Sequence, residues 1–168
     1  MATIQIYTDK HKQEVIDLIL HIQQKEFNIP ITIEKQPDLN DIVNFYQTGK
    51  GNFWVATVDH KVVGTIGLLD IGNSQGALRK MFVNDLYRGK PHGVGQALLD
   101  TLFSWAKKNA ITNVFLGTTE KFIAAQKFYV RNGFSEIPVE SLPKNFPIMA
   151  VDKKFYRYDM EITVGNLS

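Results

Sequence analysis

LRKMFVNDLYRGKPHGVGQALL, residues 78 to 99, runs from an apolar β-type segment (Met81, Phe82, Val83) through a short basic loop (Arg88 to Gly95) straight into a helical pattern beginning near Val94. Strand, glycine loop and helix in that order make an anion cradle. The first backbone N–H groups of a helix have no intrahelical acceptor and point at whatever lies beyond the strand end. A phosphate is the natural occupant, because the helix dipole favours negative charge there by roughly 0.3–1 kcal/mol. Arg88 and Lys90 are placed to add charge-assisted hydrogen bonds. Side chains at Gly93 or Gly95 would hold a ligand off the backbone and disfavour positive φ.

Upstream of the loop the period is that of strands. FWVATV (53–58), a turn at Asp59-His60 and VVGTIGLLDI (62–71) predict an antiparallel hairpin. Gly72-Asn73 opens a turn into a third strand over about Gly76–Val83, so a meander feeds the cradle. Downstream, Val94, Leu98, Leu102 and Trp105 or Ala106 recur at helical spacing to Asn109. NVFLG (113–117) reads as a buried strand. Glu120 to Asn132 reads as a further helix, with Phe122, Ala125, Phe128 and Tyr129 on one side and Gly133 ending it. Nearer the N-terminus, Thr3–Tyr7 alternates as a strand, and Val15, Leu18, Ile19 and Ile22 stripe a helix to about Glu26. Residues 27–37 form an apolar, proline-containing connection whose Ile29, Ile31 and Ile33 either tuck under the fold or touch a ligand. Asp38 is placed to cap a helix carrying Leu39, Ile42, Val43 and Tyr46. After Gly133 come Phe134–Ile137, a loop punctuated by Pro138, Pro143 and Pro147, a strand over about Lys154–Ile162, and a frayed end at 165–168. Strands and helices in this order predict a mixed α/β fold in one domain spanning 1–168.

Composition narrows the function classes. The 168 residues are 44% hydrophobic and 21% charged, as in ordinary globular chains. No apolar run approaches the roughly 20 residues that cross a bilayer, and MATIQIYTDK lacks a basic region followed by an apolar one, which predicts a cytoplasmic protein with no membrane role. Zero cysteines exclude disulfides, thiolate metal sites and cysteine nucleophiles. His11, His21, His60 and His92 include no pair at metal-ligand spacing, so no metal is expected. A formal charge of +2 with dispersed lysines argues against nucleic acid as a partner.

Of the phosphate-binding patterns, GxxxxGK[ST] is absent. The dinucleotide fingerprint fails as well: Leu98 stands where it needs a third Gly or Ala, and the next strand ends Leu116-Gly117-Thr118 with no acid for a ribose. The remaining pattern fits. Lys90-Pro-His-Gly93-Val-Gly95, preceded by Arg88-Gly89, resembles the [QR]xxGx[GA] loop of the GNAT superfamily of acetyl-CoA-dependent N-acetyltransferases, with lysine in the first place and Pro91-His92 lengthening the frequent RGxGxG form. LGTTEKFIAAQKFYVRNGF (116–134) resembles the same family's LxTxxxMxxAxxFYxxxGF segment, with Phe122 in the methionine position. The resemblance covers about Phe53 to Phe134.

It implies a GNAT-type acyl-CoA N-acyltransferase fold of about six or seven strands, largely antiparallel, flanked by roughly four helices. The implied activity is transfer of the acetyl group of acetyl-CoA to a primary amine, of a small molecule or a peptide, by direct attack. Met81, Phe82 and Val83 would lie alongside the acetyl and pantetheine portion, a backbone N–H of that strand serving the oxyanion. Arg88, Gly89, Gly93, Val94, Gly95 and Gln96 would hold the pyrophosphate. Phe122, Ala125 and Phe128 would line the cofactor site, and Tyr129 would protonate the leaving thiolate. Ala77 stands where many relatives have the glutamate base. Asp70, Glu34, Glu26 and Glu136 are alternatives by type and read as surface carboxylates. Acceptor identity is expected from residues 27–37 and 136–154, and the assembly from a monomer or homodimer. The competing reading is a catalytically weak acyl-CoA-binding or sensor module.

Overall fold

A computed structural model describes residues 2–161. Its single sheet contains β1 (Thr3–Ile6), β2 (Asn52–Val58), β3 (Lys61–Gly72), β4 (Gln75–Val83), β5 (Asn113–Thr118), β6 (Ser135–Ile137) and β7 (Lys154–Asp159), in the order β1-β2-β3-β4-β5-β7-β6. Every neighbouring pair is antiparallel except β4 and β5. Two hairpin turns shape the meander. Asp59 and His60, at φ 50° and 67°, join β2 to β3, and Asn73 and Ser74, at φ 54° and 59°, join β3 to β4. Both pairs have the left-handed conformation that matches strand twist.

Four α-helices flank the sheet: α1 (Lys12–Leu20), prolonged by a π-helical segment His21–Glu26, α2 (Ile42–Tyr46), α3 (Val94–Lys108) and α4 (Ile123–Arg131). The amphipathic stripes decide which face each helix covers. Val15, Ile19, Ile42 and Tyr46 bring α1 and α2 onto Phe53 and Val55 of β2. Leu98, Leu99 and Leu102 of α3 and Tyr129 of α4 cover the opposite face, against Trp54, Ile66, Leu78 and Leu116. A third cluster, Ile71, Ala77, Phe115, Phe146 and Phe155, draws the loop after β6 under the α1 and α2 face.

Two boundaries differ from the sequence reading, and one open alternative is decided. Asp38 does not cap α2; residues Pro37–Asn40 form a 3₁₀ turn, and the cap is Asp41, whose carboxylate accepts the Asn44 N–H at 3.4 Å. Asp38 instead goes inside and accepts the Tyr46 hydroxyl at 2.6 Å. Phe122 precedes α4 rather than lying within it. The connection after Glu26 tucks in, with Ile29 and Ile31 4% and 5% exposed. The part of the last predicted strand beyond residue 161, and the frayed end, lie outside the described residues.

The sheet opens between its parallel strands. β4 and β5 pair only at Gln75 with Asn113, Gly76 with Val114 and Ala77 with Phe115; β4 then continues to Val83 and β5 to Thr118 without pairing to each other. A bulge bends β4 at this point. Arg79 opposes Gly67 and Phe82 opposes Thr65, so Lys80 and Met81 together face Ile66. Lys80 sits at φ 55° and its carbonyl accepts the Thr65 hydroxyl at 2.7 Å. Such a bulge increases local twist and re-aims side chains; here it swings the end of β4 away from β5 and leaves a wedge-shaped gap.

Candidate active site

The loop at the mouth of the gap carries the glycine geometry that its sequence demands. Gly89 and Gly93 have φ 93° and 62°, and the N–H groups of His92 and Gly93 both donate to the Gly89 carbonyl, at 3.2 and 3.1 Å. Pro91 and His92 are thereby absorbed into one extra tight turn. Gly93 is the residue before α3, and the first intrahelical bond runs from the Ala97 N–H to the Gly93 carbonyl at 3.0 Å. The N–H groups of Val94, Gly95 and Gln96 precede that bond and point outward.

Residues far apart in sequence meet around the gap. A Cβ on Gly95 would stand 3.7 Å from the Met81 methyl and 3.9 Å from the Phe128 ring, so β4, α3 and α4 converge there. Phe82 turns to the other face and packs edge-on to Phe122, which packs edge-on to Phe27, with ring centroids 6.0 and 4.9 Å apart. Val83 and Ala125 pack partly buried against the α3 and α4 core. The Gln96 side chain is occupied elsewhere, donating to Asp100 and Asn132 at 2.9 Å each, which leaves its backbone N–H for a ligand.

Tyr129 is 5% exposed, its ring against Phe128, Phe134 and Tyr156. Its hydroxyl bonds to no described residue. Burial, and secondarily the nearby Tyr156, push the phenol well above its usual range. It is therefore protonated at neutral pH.

Arg88 is committed. Both guanidinium arms bind the Glu26 carboxylate, one at 2.8 Å; its Nε donates to the Val83 carbonyl at 2.8 Å and its carbon lies 5.8 Å from the Phe27 ring centroid. Lys121 reaches the same segment from the α4 side, donating to the carbonyls of Phe27 and Asn28 at 3.2 and 3.1 Å. Residues 26–28 are thus stitched to both walls of the gap. Of the other carboxylates considered from sequence, Asp70 holds the Lys50 and Gly72 N–H groups at 2.9 and 2.8 Å, Glu34 is exposed, and exposed Glu136 lies 3.9 Å from Lys154.

Sequence reading missed a charged group on the α1 and α2 face of the gap. Lys80 and Asp38, with side chains 6% and 3% exposed, stand 3.8 Å apart, and Lys80 donates to the side-chain amide oxygen Oε1 of Gln36 at 2.5 Å. Burial holds the Lys80 ammonium down at about 8 despite the Asp38 charge. Arg79 and Asp152 lie beside them. The signal in the sequence was Arg79-Lys80 itself, two adjacent cations inside an otherwise apolar strand. Among the described residues no group of three His, Cys, Asp or Glu is placed to hold a metal, and no helix is long and apolar enough to cross a membrane.

A mostly antiparallel sheet opened at its parallel pair, with a glycine cradle at the mouth of the opening, is the architecture of an acyl-CoA N-acyltransferase. The model of the GNAT acetyltransferase domain matches residues 49–136. An acetyltransferase of the GNAT family from Staphylococcus aureus MU50 is 42% identical, with a TM-score of 0.92 over 96% of this chain and 100% of that one. The chain belongs to the GNAT acetyltransferase family and carries its acyltransferase domain. N-acetylaspartate synthetase of Xenopus tropicalis is 38% identical over 106 residues, 61% of this chain and 38% of its own length, so this chain spans less than half of that relative. The PaiA N-acetyltransferase of Thermoplasma acidophilum, solved in complex with coenzyme A, shares the fold at 19% identity and a TM-score of 0.72, over 95% of this chain and 99% of that one.

Proposed function

We propose that the protein is an acetyl-CoA-dependent N-acetyltransferase that acetylates a primary amine of a small molecule or peptide. One observation carries this reading: the end of β4, paired with β3 but parted from β5, leads through the loop of residues 84–93 to outward N–H groups at the start of a 15-residue helix. The cradle suits a pyrophosphate, through the amides of Val94, Gly95 and Gln96 and the turn at Gly89 and Gly93, with Arg88 beside it. The gap suits an extended pantetheine arm, which can take the place of the missing strand partner along Met81, Phe82 and Val83. Phe122, Ala125 and Phe128 supply its apolar walls. The complex of the Thermoplasma PaiA with coenzyme A, on the same fold, supports the same occupant here.

In the reaction the amine nitrogen bonds to the thioester carbon and the C–S bond breaks with its electron pair on sulfur. A backbone N–H of β4 stabilises the carbonyl oxygen as it gains charge. Tyr129, protonated and without a partner among the described residues, delivers a proton to the sulfur. The test is stoichiometric: incubation with acetyl-CoA and an amine panel should release free CoA thiol and N-acetyl product in equal amounts. Measurable CoA binding with no acetylated product from any amine would leave the binding-module reading in its place.

A further inference from the structure

Successive strand residues normally point to opposite faces. Arg79 and Lys80 instead both turn toward the α1 and α2 face, because the bulge intervenes. Lys80 has its countercharge in Asp38. Arg79 does not. Its guanidinium lies 5.4 Å from the Phe45 ring centroid, one N–H donates to the Met149 sulfur at 3.3 Å, and no carboxylate of a described residue comes within 4.0 Å. A half-buried guanidinium whose only hydrogen-bond acceptor among the described residues is a thioether is short of an anion.

Asp152 faces the same space. Its carboxylate accepts the Met149 N–H at 2.9 Å, and a Cβ on Gly117 would come within 2.8 Å of it. Met149 therefore bridges Arg79, through its sulfur, and Asp152, through its amide. Gly117 on β5 leaves the room that the carboxylate occupies. Burial raises the Asp152 carboxyl, opposed by the Met149 N–H and by the charges of Arg79 and Lys80. The phosphates of a cofactor in the cradle cannot supply the anion, because the cradle lies beyond Val83 while Arg79 precedes the bulge on the same strand.

We propose that the side of the gap that Arg79 and Asp152 face is the acceptor site and takes an amine that carries a carboxylate, with Arg79 binding the carboxylate and Asp152 binding the ammonium and accepting its proton. The inference rests on the acyl transfer proposed above. The ammonium gives one proton to Asp152, which passes it to water; the free nitrogen then attacks the thioester. Its second proton is lost as the C–N bond forms and the C–S bond breaks, and the sulfur ends protonated. One acceptor ammonium and one acetyl thioester thus yield one N-acetyl product, one thiol and one released proton.

The test sets L-alanine, β-alanine, L-aspartate and L-glutamate against their carboxamides as acceptors for the full chain, with rates taken per unprotonated amine. The acids should be preferred by at least about tenfold in kcat/KM. Arg79→Gln should erase that preference through the acceptor KM, leaving the Kd for CoA unchanged, and Arg79→Lys should restore part of it. Asp152→Asn should lower kcat and flatten the acid limb of its pH profile. Equal use of amides and acids, no use of the acids, or a preference that survives Arg79→Gln would overturn the proposal, and an unaltered pH profile in Asp152→Asn would remove that residue from it. Failure of the wild-type chain to bind CoA, read separately by calorimetry, would overturn the acyl-transfer reading and this inference together.

Discussion

Lys80 and Asp38 form a buried ion pair, 3.8 Å apart, that joins the bulge of β4 to the turn preceding α2. Replacing one member leaves the other charge unpaired inside the protein, which typically costs about 3–5 kcal/mol. Asp38→Asn should therefore lower stability at pH 7 by an amount in that range, measured by urea denaturation. The pair also carries a pH signature. The folded chain releases the Lys80 proton at about 8, whereas the unfolded chain holds it to 10.5. In that window the unfolded state binds more protons, so stability contributed by this group rises with pH, by at most about 1.4 kcal/mol per pH unit. Below the window the burial penalty applies in full. Lys80→Met should flatten the rise relative to wild type; identical slopes would contradict it.

Tyr129 offers a clean separation of chemistry from folding. Its hydroxyl bonds to no described residue, so Tyr129→Phe should leave stability nearly unchanged. Loss of a general acid typically costs about 100-fold or more in turnover. We expect such a fall in kcat with the Kd for acetyl-CoA preserved, and an unchanged rate at every pH would exclude Tyr129 from the reaction.

The cradle glycines should separate in the same way. Gly93 has φ 62° with nothing within 4 Å of a prospective Cβ, so Gly93→Ala should cost about 1–2 kcal/mol of backbone strain without a clash. At Gly95 a Cβ meets only ordinary contacts of 3.7 and 3.9 Å. Gly95→Asp should fold, yet put a carboxylate among the anion-binding amides and weaken CoA binding at least about tenfold. Thermal denaturation and calorimetry distinguish the two effects.

Arg88 is held between Glu26 and the mouth of the gap. Glu26→Gln should free the guanidinium for the pyrophosphate and tighten CoA binding about two- to tenfold, while Arg88→Gln should weaken it by a similar factor. If Arg88→Gln leaves CoA affinity untouched, the arginine serves only to anchor residues 26–28.

Local pattern carried the scaffold. The hairpin at Asp59-His60, the helix from Val94 and the glycine loop each follow from period and turn chemistry within a few residues, and the structure has them where the sequence reading put them. The charged face of the gap was out of reach for a physical reason. A period of two assigns Arg79 and Lys80 to opposite faces, and only the bulge, with a non-glycine residue at positive φ, brings them together. Asp38 resembles a helix cap because it stands just before the apolar stripe Leu39 to Tyr46, but the Tyr46 hydroxyl and the distant Lys80 hold it inside. Asp152 belongs to an aperiodic loop whose position depends on Phe146 and Phe155. The carboxylate that Arg88 holds, Glu26, lies on a segment distant in sequence, which neither the charge of the loop nor its resemblance could point to.

The most direct measurement of the central claim is an amide-resolved NMR titration of the full chain with CoA. The account predicts shifts concentrated at Gly93, Val94, Gly95 and Gln96 and along Met81 to Val83, with the paired strands β1 and β2 unmoved. Shifts that spare both the cradle and the end of β4 that has parted from β5, or no shifts at saturating CoA, would contradict it.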